Sequence, residues 1–357
     1  MRPEPGFARS LREELTQVTP EFQQRVHRNG ALTDEELIKM TTRQDADPAM
    51  YLPDQPDEKS VYTADNVTPF DEVEGEEMIK RGEVAFVLLA GGAGTRAGGP
   101  KVFARIPGVE TSLLAWKLMQ GGGMPVWIMT SPDMLNSVAH HMNSLGMAPG
   151  TFGSVFTQFE GYRLTPDNRL SWLVQGVPDL YPLGHGDVGP ALVESGILDE
   201  NKTVKYAYIC NVDNVLASPH AGLLGFHKRQ GADVTVEVVD RRPGDKGGVL
   251  AVVNNRLQVA EDWRLPAGFT DQAKWHNTNT MIVDIGVLKA NIEWRWHRVR
   301  KQVGSKLVVQ HERLLQQYTE EFPTQFVHVP REARYQSIKT QDDLEAAGKL
   351  LTSYRYT

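Results

Sequence analysis

The chain has 357 residues, 40% of them hydrophobic, enough to bury a large core as one main domain with a small appendage. A formal net charge of −7 argues against nucleic acid or an anionic membrane surface as the main partner. The single cysteine, Cys210, excludes a disulfide framework and a cysteine-based metal site; with no apolar run of about 20 residues and no signal-peptide core, a soluble cytoplasmic protein is expected.

In chain order, residues 1–45 carry helical spacing in FARSLREELTQV and ALTDEELIKMTT, and Thr33 with Glu36 forms a capping box for the second helix. Residues 46–78 are proline-rich and acidic and read as an irregular linker ending in a short helix, GEEMIKRG. From residue 84 onward apolar strands alternate with helical stretches and glycine turns. That is the pattern of an α/β fold, Rossmann-like, with a mostly parallel mixed sheet flanked by helices.

The first of these strands, Val84–Ala90, is continuously apolar and so buried on both faces. Gly91, Gly92 and Gly94 follow and can present backbone N–H groups to an anion, and Arg96 and Lys101 add positive charge. A ligand with several negative charges, such as a nucleoside triphosphate, fits this loop. A dinucleotide fingerprint is the rival, but no acidic residue stands clearly about 20 positions on. A Walker loop needs Ser or Thr after the lysine, whereas Lys101 precedes Val102. Further on, YAYICNVDN places Asp213 at a strand end, where α/β folds put ligand-binding groups, and its carboxylate suits Mg²⁺. The alternative for Asp213 is a helix cap. NIEWRWHRVRK (291–301) reads as an amphipathic surface helix.

The motif LAGG-x-GTR followed by PK resembles the signature of sugar-1-phosphate nucleotidyltransferases. VWIMTSPDM (126–134), PLGHGDV (182–188), NVDNV (211–215), KGG (246–248), HNTNTMIV (276–283) and VPREARYQSIKTQDDL (329–344) follow in the order of one branch. That branch contains the UDP-glucose and UDP-N-acetylhexosamine pyrophosphorylases, and the resemblance covers roughly residues 80–350. It implies a nucleotide-diphospho-sugar transferase fold of the glycosyltransferase-A-like kind. Residues 1–80 would be an N-terminal helical extension and linker, and 81–357 the catalytic domain. Within that domain, about 81–240 would bind nucleotide and about 241–345 sugar phosphate. The family's C-terminal β-helical domain is expected to be absent, so its mode of assembly does not carry over and no oligomer is predicted.

The implied reaction is Mg²⁺-dependent attack of a sugar-1-phosphate oxygen on the α-phosphate of a nucleoside triphosphate, releasing pyrophosphate. The attacking phosphate is already ionised, so catalysis is charge neutralisation and in-line positioning. By resemblance, Ala90, Gly91, Gly92, Gly94 and Thr95 belong to the nucleotide loop, Arg96 and Lys101 act on the phosphates, and Lys101 lies beside the α-phosphate. Asp213 binds the metal and Asn211 lies near the ribose. Gly184 packs against the base, His185 lies by the phosphate or sugar, and Asp187 orients its neighbours. Gln158, in VFTQFEG, reads the base; its amide can pair with uracil and equally with guanine, so it does not separate UTP from GTP. Lys246 and Gly248 lie beside the sugar phosphate, Glu261, Asn277 and Asn279 contact the sugar, and Lys339 clamps the phosphates.

One departure stands out. HNTNT replaces the usual NTNN of UDP-glucose enzymes, so Thr280 stands for an amide. A sugar-1-phosphate with UTP is the favoured reading. GTP with valienol 1-phosphate, as in aminocyclitol antibiotic biosynthesis, is the alternative. A catalytically silent module that binds nucleotide or sugar phosphate is the reading of another class.

Overall fold

Strand β2 (Val84–Leu89) runs through the middle of the molecule with all six residues buried. The computed structural model describes residues 11–42, 52–92, 100–147 and 153–354. Alternate side chains of β2 feed two separate cores. Ala85, Val87 and Leu89 face one, and Val84, Phe86 and Leu88 face the other. Burial on both faces explains the unbroken apolar run.

The main sheet has ten strands. In chain order they are β1 (Tyr62–Thr63), β2, β3 (Val126–Thr130), β4 (Gly153–Thr157) and β5 (Tyr206–Asn211). Then come β6 (Val234–Asp240), β7 (Val249–Val253), β8 (Arg256–Ala260), β9 (Trp275–Asp284) and β10 (Thr324–His328). Across the sheet the order is β1-β10-β6-β9-β5-β2-β3-β4, with β7 joined to β9 and β8 to β7. Along that path β9 alone runs against its neighbours, β5 and β6; the other pairs are parallel. The sheet is mixed and mostly parallel, as the alternation of strands and helices predicts.

Helices α1 (Pro20–Val26) and α2 (Asp34–Thr42) lie on the first core: Leu11, Leu15, Val26, Leu37 and Ile38 share it with Val87 and Ile209. Helix α3 is Pro69–Lys80. Residues of α3, α4 (Leu113–Gln120), α5 (Leu135–Ser144) and α7 (Ala221–Gln230) fill the second core, while α6 (Val188–Glu194) covers the first. A third cluster joins Ile106 and Val215 to Leu344, Ala347 and Leu351 of α8 (Gln341–Tyr354).

The capping box at α2 forms as read: Thr33 Oγ1 accepts from Glu36 N at 3.2 Å, and Glu36 Oε2 accepts from Thr33 N at 2.9 Å. Two other expectations are corrected. The short helix around GEEMIKRG starts earlier, at Pro69, because Thr68 and Asp71 make a second capping box and Pro69 suits the first helical position. Segment 291–301 is not a surface helix. His297–Val303 pairs antiparallel with Lys306–Glu312 across a turn with Gly304 at φ 57°. A tight turn between two valine-bearing runs favours the hairpin over helical spacing.

Candidate functional site

Two hollows stand out. One, about 500 Å³, is lined by the start of β3 and β4, at Val126 and Gly153. The other, about 300 Å³, lies past the C-terminal end of β5, where α/β sheets bind ligands. Only the second gathers charged groups from separate elements. Of the candidate residues it brings together His185, Asn211, Asp213, Lys246, Gly248, Glu261, Asn277, Asn279 and Lys339.

Asp213 sits two residues beyond β5 and accepts a hydrogen bond from Lys101 Nζ on its Oδ2 at 3.0 Å, each side chain 20% exposed. Each member of such a half-buried pair can exchange its partner for an incoming ion of the same sign as that partner. The aspartate caps no helix. Its main chain is stitched to the C-terminal segment: Ile338 N donates to Asp213 O at 2.9 Å, and Val215 N donates to Gln336 O at 3.1 Å. Asn214 adds bonds to Arg334 O and from Gln336 N. That stitching sets Lys339 beside the cleft, with its N–H on Asp343 Oδ2 at 2.9 Å.

The loop carrying Lys246 is anchored by Asp245, which accepts from both Arg331 Nη1 at 2.7 Å and Arg331 Nη2 at 2.8 Å. Gly247 follows at φ 119°, and Gly248 O then accepts from Asn277 N at 3.0 Å. Register on β9 slips opposite Glu237 and Val238. The extra residues there let Asn277, Thr278 and Asn279 all line the cleft, with Asn279 at φ 57°, a conformation asparagine tolerates. Asn279 Nδ2 donates to Asn211 Oδ1 at 2.9 Å, which ties β9 to the end of β5.

Glu261 is half-buried in the wall. Burial, with Asp262 next to it, pushes its carboxyl up to about 7, against the opposing pull of Lys339. Gln316 Nε2 donates to its Oε1 at 2.8 Å. His185 takes the Leu315 N–H on Nδ1 at 2.8 Å, so the neutral ring carries its proton on Nε2. Burial holds that ring down to about 4, neutral at physiological pH.

The nucleotide-loop residues lie next door. Ala90 is buried and its N–H donates to Met129 O at 2.7 Å. A Cβ on Gly91 would fall 1.8 Å from Gln158 Oε1, so a side chain there would displace the Gln158 amide. Gln158 Nε2 donates to Gly184 O at 2.7 Å. Gly184, at φ 112°, rests on Arg313 O at a spacing a Cβ would violate. Gly92 is exposed with open space around it. Gly94, Thr95 and Arg96 lie outside the described residues. Asp187 does orient neighbours: it accepts from Phe159 N at 2.8 Å and pairs with the buried Arg313.

Sequence reasoning passed over Asn214, Thr278, Gln316, Tyr335 and Ser337, which also line the cleft. All but Gln316 sit inside motifs already quoted, so position within a motif was signal enough. Arg313 carried none. Its guanidinium lies over the rings of Phe159, Trp294 and Trp296, at 5.2, 5.3 and 5.1 Å from the centroids, from segments far apart in sequence.

The fold has solved counterparts. A UDP-N-acetylglucosamine pyrophosphorylase from Trypanosoma brucei aligns with a TM-score of 0.75 at 18% identity, over 96% of this chain and 79% of that one. A mutant UDP-glucose pyrophosphorylase from Leishmania major, in complex with UDP-glucose, aligns with a TM-score of 0.71 at 17% identity, over 96% and 78%. In sequence, the UTP–glucose-1-phosphate uridylyltransferase of Solanum tuberosum is 27% identical over 263 residues, 67% of this chain and 54% of that protein. That of Encephalitozoon cuniculi is 28% identical over 184 residues, 47% of this chain and 37% of that protein. The chain thus matches about half the length of the first relative and little more than a third of the second. The family described as UTP–glucose-1-phosphate uridylyltransferase matches residues 39–354, and the chain belongs to that family.

Proposed function

We propose that this protein joins a nucleoside triphosphate, UTP by preference, to a sugar-1-phosphate, giving an NDP-sugar and pyrophosphate. The observation that carries the reading is the Lys101–Asp213 pair at the end of β5, with Lys246 and Lys339 on the same cleft. Two polyanions must meet there, and three lysines from separate elements supply charge that neither substrate brings.

The roles are those the resemblance implies, supported by the meeting of Asp213, Lys246 and Lys339 at one cleft. Lys101 takes the charge that builds on the α-phosphate when Asp213 releases it. Lys246 holds the sugar phosphate and Lys339 closes on the phosphates from the C-terminal segment, with Arg96 assigned to the phosphates by its motif alone. Ala90, Gly91, Gly92, Gly94 and Thr95 form the nucleotide loop, Gln158 and Gly184 meet the base, and Asn211 meets the ribose. His185, Gly248, Glu261, Asn277 and Asn279 surround the sugar phosphate. In this reading residues 81–240 hold the nucleotide and 241–345 the sugar, with the cleft where they meet.

Among the described residues no three His, Cys, Asp or Glu side chains are grouped to hold a metal by themselves. Mg²⁺ needs less. It is commonly held by one or two carboxylates plus substrate phosphates, and Asp213 offers one carboxylate beside a cationic phosphate site. Bound there, Mg²⁺ would neutralise phosphate charge.

The test is pyrophosphate release with UTP, GTP, ATP, CTP and dTTP crossed against glucose-1-phosphate, N-acetylglucosamine-1-phosphate, galactose-1-phosphate and valienol 1-phosphate. Release with UTP and a hexose phosphate is expected. Release confined to GTP and valienol 1-phosphate would move the assignment to a guanylyltransferase. Nucleotide binding with no release in any pairing would favour the silent module.

A further inference from the structure

The N-terminal helices meet the nucleotide half through a shared core, through Arg25 on Glu160 at 2.6 Å, and through Arg28, which reaches Gln158 itself. Arg28 follows α1, is 23% exposed, and its guanidinium meets three consecutive residues at the end of β4. Arg28 Nη1 donates to Thr157 Oγ1 at 2.9 Å and to Gln158 O at 3.2 Å, and its Cζ lies 4.7 Å from the Phe159 ring centroid. The remaining donors are taken by Glu194 of α6: Nε to Oε1 at 3.0 Å and Nη2 to Oε2 at 2.6 Å. The segment is held from elsewhere too. Gln158 N donates to Thr130 O at 2.9 Å, Phe159 N to Asp187 Oδ2 at 2.8 Å, and Arg313 packs on the same Phe159 ring.

Every backbone polar group of Gln158 is therefore committed, its side-chain N–H is on Gly184 O, and its Oε1 faces Gly91. A glutamine so constrained presents one acceptor at a set place, which is what discrimination among bases requires. We propose that Arg28 is a positioning residue for base selection: the N-terminal extension clamps the end of β4 and so fixes Gln158. This rests on the assignment of Gln158 to the base, made above. Because the clamp acts through Gln158, its loss weakens nucleotide binding and relaxes base choice without slowing chemistry.

Steady-state kinetics with UTP and CTP on the full chain test it, since cytosine has an acceptor where uracil has its N3–H, using Arg28→Met, Arg28→Lys, Glu194→Gln, Gln158→Ala and the double variant Arg28→Met/Gln158→Ala. Arg28→Met is expected to raise the KM for UTP about fivefold, the worth of one lost hydrogen bond, and to lower the UTP-to-CTP preference. Its kcat is expected to stay near wild type. Arg28→Lys recovers part of the loss, since an ammonium reaches one acceptor but not the whole set. Glu194→Gln, which weakens only the outer ion pair, leaves KM and preference in place. In the Gln158→Ala background, Arg28→Met is expected to add nothing.

Equal effects of Arg28→Met in both backgrounds, or unchanged KM and preference, would overturn the clamp. If Gln158→Ala itself changes neither, the base assignment fails, and the clamp with it. Hydrogen exchange at the Gln158 and Phe159 amides gives a reading independent of turnover. Exchange is expected to quicken in Arg28→Met and not in Glu194→Gln, and equal rates in Arg28→Met and wild type overturn the clamp even if no turnover is found.

Discussion

Lys101 and Asp213 neutralise each other at 3.0 Å, and each is only partly buried. Removing either leaves the other side chain solvated enough to keep the fold, yet takes away a preorganised charge where the reaction would develop it. Lys101→Ala and Asp213→Asn are each expected to lower kcat by about 10²–10³, some 3–4 kcal/mol in the barrier, with an unchanged Tm. Near-normal turnover in either would strike that residue from the site. Glu261 yields a pH prediction. Its carboxyl is pushed up to about 7 by burial, well above its unfolded value, so the folded state holds that proton more tightly. The stability this confers is complete below the unfolded pKa near 4.5 and is lost as pH rises through about 7. Glu261→Gln removes the dependence. The stability of the variant minus that of wild type is expected to rise between pH 5 and 7.5, by up to about 1.4 kcal/mol per pH unit; taking the difference cancels the buried histidines, which titrate in both proteins. A flat difference would mean the carboxyl is ionised throughout.

Single elements form where local signals agree. The capping box at α2 closes with both of its bonds, and Thr33→Ala is expected to cost about 1 kcal/mol in denaturant unfolding. Turnover is expected to stay the same, since Thr33 is away from the cleft; a loss of turnover with no loss of stability would contradict this. Turn chemistry also decided two hairpins, the second of them misread from its spacing. Asn254 and Asn255, at φ 52° and 59°, reverse β7 into β8, and Gly304 does so for the strand pair at 297–312. Residues 291–301 look amphipathic at a helical period. The same alternation of polar and apolar groups also fits one half of a hairpin, and its partner strand lies outside the window that was read.

Across the whole molecule, the N-terminal helices and the sheet share one core. Leu37 is 1% exposed and sits in the same cluster as Val87 of β2. Leu37→Ala is expected to cost about 2–5 kcal/mol through the cavity it leaves. Unfolding is expected to remain one cooperative transition. A separate early transition would show that residues 1–80 fold independently of the sheet. Among the described residues no helix is long and apolar enough to cross a membrane.

From the chain alone, the strand–glycine turn at 84–94, the apolar alternation beyond it and the spaced motifs determined the fold class and part of the cleft's lining. These are local signals, written in consecutive side chains, and nine of the candidates do converge on one hollow. Tertiary structure alone decided the rest. Arg313 against Phe159, Trp294 and Trp296, Arg28 on the end of β4, and Gln316 on Glu261 join residues from 17 to 154 positions apart only because the sheet stacks them. No period or motif encodes such pairs, since a lone arginine or glutamine in a strand or loop carries no mark of what the fold will lay against it. The bulge on β9 is of the same kind: HNTNT reads as a run of polar residues, and it is the slipped register against β6 that turns three of them into one cleft wall.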